Sequence, residues 1–229
     1  MAAPMSKRVF PWVSREEWEE VYYGLYTDYG SDASSSSAVA KQWAIERTQL
    51  WRSRSGNRFP PGVETTVCLA QALLLLLEEE RERSKTRERC DEVRLLLSMA
   101  IVRFVNFVAD VGQKNTFRAQ PVHVLAGMKG VPEWVVDLRH TATHATLPSL
   151  SILVLGAEFA LTWLQNQYWE VERARLSPSP INSQTSAGEA CVIKKGKKEE
   201  EEEEGEEERE ERIRSLLGDY QQLQFETYS

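Results

Sequence analysis

Arg139, His140 and His144 stand together in the stretch "LRHTATH", and two of the three histidines in the 229-residue chain are among them. An ordinary histidine pKa of about 6.5 lets the acid and base forms coexist near neutrality. Arginine, always charged and forked, holds phosphate oxygens two at a time. Metal-free cleavage of RNA needs a base for the 2′-hydroxyl, an acid for the leaving 5′-oxygen and a cation for the charge that builds on phosphorus. These residue types meet those needs. Two other readings compete. The one-turn spacing of His140 and His144 suits zinc, but HExxH would need Glu where Thr141 stands, Arg139 repels a cation, and only Asp137 offers itself as a third ligand. His144 alone, near a helix end, would be a dipole partner. His123 has no companions and reads as a satisfied structural histidine.

The element that must position the three is a helix opened by Pro132. With Asp137 at the origin of a helical wheel, Trp134, Leu138, Ala142 and Val135 fall between about 60° and 160°, an apolar face that packs inward. Arg139, Thr143, Val136, His140 and His144 fall between about 200° and 340°, facing outward. Arg139 and His144 are about 140° apart on this wheel, too splayed to surround one phosphate, and Val136 is exposed between them. Two copies of the face meeting across a two-fold axis would converge the cations and histidines and bury Val136. The expectation is a homodimer through the Arg139/His144 face, with a composite site.

Other helices supply the core. "SREEWEEVYYGLY" begins with a capping box, Ser14 and Glu17, followed by Trp18, Val21, Tyr22 and Leu25 at helical spacing. Further helices are expected at about 38–54, 63–83 and 87–111, with a short one near 121–128 and a last one opening at Pro148. Leu73 to Leu77 make the third apolar almost all round, as in a helix central to a bundle. Strand patterns are nearly absent. The fold class expected is all-α, a bundle of six or seven helices over residues 1–176. Residues 177–229 change character: a Ser/Pro linker, the basic "KKGKK" and an acidic run, read as a disordered tail. "KKGKK" is compatible with nuclear import, and "RIRSLLGDYQQLQF" with a short amphipathic docking piece.

The charge follows the same division. Residues 1–176 carry 21 Lys and Arg against 21 Asp and Glu, so the net charge of −7 lies wholly in 177–229. A neutral helical part argues against a broad non-specific nucleic-acid platform while leaving room for a local basic site. Cys68, Cys90 and Cys191 have no zinc-type spacing and read as free thiols in a reducing compartment. No signal-peptide run opens the chain, and "VCLAQALLLLL" is too short to span a bilayer. The expectation is an intracellular soluble protein with no membrane contact.

"PEWVVDLRHTATHATLPSL" and "FALTWLQNQYW" resemble the Las-one family of pre-ribosomal RNA endoribonucleases, whose core reads Arg-His-x-x-Thr-His. "FPWVSREEWEEVYYGLY" and "SMAIVRFVNFV" are similar to its N-terminal and central blocks, so the resemblance runs from about Arg8 to Glu172. Arg139 and His144 also match the RxxxxH signature of the HEPN nucleases, all-α domains that act as dimers. The resemblance implies a metal-independent endoribonuclease, without cofactor, that cuts the second internal transcribed spacer of pre-rRNA and leaves a 2′,3′-cyclic phosphate and a 5′-hydroxyl. It assigns Arg139 to transition-state charge and His140 with His144 to proton transfer. It implies a nuclear, largely nucleolar protein in mutual dependence with a polynucleotide 5′-kinase. Family members continue past the acidic region into a segment that docks on the kinase; "QLQFETYS" shows no such match, which leaves the helical domain as the other place for kinase binding. The alternative function is a non-catalytic helical scaffold in ribosome assembly.

Overall fold

In a computed structural model of the chain, residues 10–26, 35–82, 87–114 and 116–176 are described. They form seven helical rods and no strand. These are α1 (Arg15–Tyr26), α2 (Ser35–Ser55) with a 3-10 turn at Gly56–Arg58, α3 (Pro61–Glu82), α4 (Arg87–Gln113), α5 (Val122–Gly127) and α6 (Glu133–His144). In the last rod, α7 (Leu150–Leu164) runs through a π-helical turn, Gln165–Trp169, into α8 (Glu170–Leu176). The all-α class is therefore as the sequence implied. The linker, "KKGKK", the acidic run, the amphipathic piece and Cys191 lie outside the described residues.

The start of α1 shows why these boundaries form. Ser14 Oγ accepts the Glu17 amide at 3.2 Å, as the capping box requires. The Glu17 carboxylate turns back one residue further than the motif predicts, to the Val13 amide, and also accepts Trp51 Nε1 at 3.2 Å. Burial alone would push the Glu17 carboxyl up; the Val13 and Trp51 donors, with Arg47 and Arg54, outweigh it and hold the carboxyl below its ordinary range. One buried carboxylate thus ties α1 to α2. Trp18 stacks on Tyr22 and meets Trp169 with ring centroids 5.1 Å apart, and all three are buried, as is Trp51.

At the centre, α4 packs against α3, α5, α6 and α7. It buries Val93, Leu97, Ile101, Phe104 and Val108 at helical spacing. The expected centrality of α3 holds for its first turns, where Val63, Val67, Leu69 and Ala70 are buried; further along, Leu75 emerges into solvent at 42% exposure. By length and composition alone, 61–78 and 90–113 would pass as membrane spans, longer than the 11-residue run suggested, yet about half of each window is packed inside the bundle.

Three helices meet at Gly156 of α7. A Cβ there would come within 2.9 Å of Leu138 Cδ1 and 3.0 Å of Ile101 Cδ1. The missing side chain is what lets α6 and α4 close onto α7, in an interior with no slack. Gly156→Val is expected to cost about 1–3 kcal/mol through overpacking, read as a fall in the urea midpoint. Gly127→Ala, at a position with nothing within 4 Å, should leave that midpoint nearly unchanged.

Candidate active site

Helix α6 is held at both ends and along one side. Before it, Gly130 adopts φ 77°, a left-handed conformation that only glycine takes without strain. This lets the Val131 amide reach back to the Ala126 carbonyl at 3.1 Å and stop α5. Trp163 Nε1 of α7 donates to the Lys129 carbonyl at 2.8 Å and fixes the same loop. After it, Arg94 of α4 donates to the Leu147 and Pro148 carbonyls at 2.6 and 3.0 Å. Pro132 proves to be the residue just before the first turn, and Pro148 lies two residues ahead of α7; both prolines set the extended entry and leave the first helical turn to their followers.

Along the side, Val135 and Leu138 are wholly buried, and Trp134 is half-buried edge-on to Phe159 with centroids 6.1 Å apart. His140 and His144 are exposed, so the inward and outward faces fall where the wheel put them. Their rings lie 5.0 Å apart, inclined by 50°. Two readings change. Val136 is half-buried within the chain and not open, so it offers less apolar surface than the wheel implied. His123 is exposed on α5 and is no core histidine, because the apolar face of that six-residue helix consists of Leu125 and Ala126.

Arg139 is half-buried and leans towards α4, where its Nη2 donates to Asn106 Oδ1 at 3.5 Å. Its Nε is shielded from solvent and finds no acceptor in the chain. The guanidinium is therefore turned aside by a long bond and has hydrogen-bonding capacity in reserve. The structure pairs the two histidines and keeps the arginine on the α4 side of them. Thr143 Oγ1 is 3.0 Å from the carbonyls of both Arg139 and His140, so its hydroxyl is spent on the backbone. Burial, with the charge of Glu133, raises the Asp137 carboxyl above its ordinary value, while His140 pulls it down. Among the described residues no group of three or more His, Cys, Asp or Glu is placed to hold a metal.

Asn106 was missed from sequence. Its signal was weak: a lone amide within the run "VRFVNF". On α4 it ends the stripe Leu95, Met99, Val102, Asn106, at steps of four, three and four. Leu95 and Met99 are 54% and 59% exposed, and Leu96 beside them is 47% exposed. An open apolar strip thus runs up to the arginine.

A family model described as Las1-like matches residues 10–171. The mouse ribosomal biogenesis protein LAS1L is 36% identical over 161 residues, 70% of this chain and 19% of that protein. Protein LAS1 of Saccharomyces cerevisiae is 34% identical over 166 residues, 72% of this chain and 32% of that protein. The pre-rRNA-processing protein las1 of Schizosaccharomyces pombe is 32% identical over 165 residues, 72% of this chain and 31% of that protein. The chain spans less than a third of the length of these relatives, and the matched part takes in both α4 and α6. The chain belongs to the Las1-like family, whose model covers residues 10–171 and whose relatives match it at 32–36% identity.

Proposed function

We propose that this chain is the nuclease part of a pre-rRNA-processing enzyme, a metal-independent endoribonuclease acting on the second internal transcribed spacer in large-subunit biogenesis. The names of the mouse and fission-yeast relatives point to ribosome biogenesis and pre-rRNA processing, a nuclear and nucleolar setting. One observation carries the chemistry: two exposed histidine rings 5.0 Å apart, beside an arginine with an unused shielded donor. One histidine takes the 2′-hydroxyl proton as O2′ bonds to phosphorus. The other protonates O5′ as the P–O5′ bond breaks, leaving a 2′,3′-cyclic phosphate and a 5′-hydroxyl. Arg139 meets the added negative charge on the phosphorane oxygens. The 5′-hydroxyl product is what a polynucleotide 5′-kinase consumes, which fits such a kinase as partner.

The site works as a homodimer in this account. Arg139 and the histidines diverge on one α6, and the strip Leu95, Leu96 and Met99 next to them exposes more apolar surface than an isolated helix face needs. A second copy covering that strip would bring its own α6 to the same cleft.

Incubating the chain with spacer RNA in EDTA, with and without a polynucleotide kinase, should give products with cyclic-phosphate and 5′-hydroxyl ends. Arg139→Ala should lower kcat by about 10²–10³, and His140→Ala or His144→Ala by about 10²–10⁴. Cleavage abolished by EDTA, or 5′-phosphate products, would contradict the reading. For the dimer, Met99→Glu should shift the chain to monomer by analytical ultracentrifugation. The same kind of change on another helix, Val39→Glu at an equally exposed apolar position of α2, should matter less.

A further inference from the structure

We propose a second RNA site on this chain, a backbone clamp formed by Arg52 and Arg103 with the rings of Phe107 and Tyr168 beside it, which holds the single strand next to the cleavage site. The inference rests on the endoribonuclease reading and says where a neutral domain grips its substrate.

Arg52 of α2 and Arg103 of α4 donate to the same oxygen, Glu64 Oε1, at 3.0 and 2.6 Å. Their side chains are 53% and 46% exposed. Two cations share one carboxylate, so the cluster keeps a net positive charge, and the forks retain N–H groups facing solvent. Paired exposed arginines from separate helices are a phosphate-binding arrangement, and the Glu64 carboxylate is the anion with which an RNA phosphate would compete for them. The Arg52 guanidinium also lies 5.0 Å from the Phe59 ring centroid, and exposed Arg58 follows on the same segment.

The clamp is connected to the active site through α4. Arg103 stands one turn before Asn106, and residues at that spacing share a helix face; Asn106 in turn holds Arg139. One turn after Arg103 comes half-buried Phe107, whose ring meets Tyr168 edge-on with centroids 6.2 Å apart. Tyr168 covers Gly62, where a Cβ would meet its ring at 2.6 Å. It belongs to the π turn, a feature frequent at functional sites. Within that turn Trp169 is buried, donating to Thr66 Oγ1 at 2.9 Å, while Tyr168 stays partly open. Cations next to half-buried aromatic rings suit a single-stranded nucleic acid, with phosphates on the arginines and a base against Phe107 or Tyr168.

The test uses the full chain, a fluorescein-labelled single-stranded spacer RNA in EDTA, anisotropy across a KCl series, and cleavage kinetics. Arg52→Ala with Arg103→Ala should raise Kd and KM about tenfold, reduce the log–log salt slope by roughly one, and leave kcat within about twofold. Arg52→Lys with Arg103→Lys should keep most of the salt slope. Glu64→Gln, which frees both cations, should tighten binding several-fold. Should the alanine pair unfold, the lysine pair and Glu64→Gln carry the test. Unchanged affinity and slope in the alanine pair, or weaker binding by Glu64→Gln, would overturn the clamp. Wild-type RNA binding without cleavage would sink the nuclease reading alone, since anisotropy still reads the clamp.

Discussion

The contact of Leu138 and Ile101 with the bare backbone of Gly156 is the constraint on which the site depends. Leu138 is wholly buried and directly precedes Arg139 and His140. A helix advances 100° per residue, so fixing Leu138 inward fixes the direction of the next two residues. The Arg94 and Trp163 hydrogen bonds then lock the two flanking loops. Exposed His140 and His144 and half-buried Arg139 are thus oriented from the core, the rigid support that a site on a surface helix requires.

The same packing leaves two features open on the outward side of α4 and α6. Arg139 ends on a long bond to Asn106 with a shielded Nε unsatisfied, and a shielded donor without an acceptor is unfavourable by about 1–3 kcal/mol. The open strip of Leu95, Leu96 and Met99 lies along the helix that supports this arginine. A second copy and an RNA phosphate together would answer both: one covers the strip, the other accepts from the guanidinium. The proposed clamp at Arg52 and Arg103 extends the logic, because a domain with balanced charge must concentrate its cations locally to bind a polyanion.

Much of this was legible in the residues. Capping at Ser14, the apolar period of α4 and α7, and the two faces of α6 follow from 3.6-residue periodicity, which a sequence displays directly. The outward placement of His140 and His144 came from the same source. What escaped was tertiary. Nothing local marks Asn106 as the residue that meets Arg139, 33 positions away, or brings Arg52 and Arg103 to one oxygen of Glu64. Glu17 was read as a cap, and its role in joining α1 to Trp51 and Arg47 of α2 depends on a neighbour that the motif does not specify. The π turn at Gln165–Trp169 interrupts a run that reads as unbroken helix, because no residue type marks a widened turn in advance.

The proposed active site takes one half from each of two α6 faces. This is tested by measuring molecular mass and specific cleavage activity on the same dilution series of the chain. The account predicts that activity per chain falls in step with the dimer fraction as the protein dissociates. Full activity per chain in a sample that is monomeric by mass would contradict it.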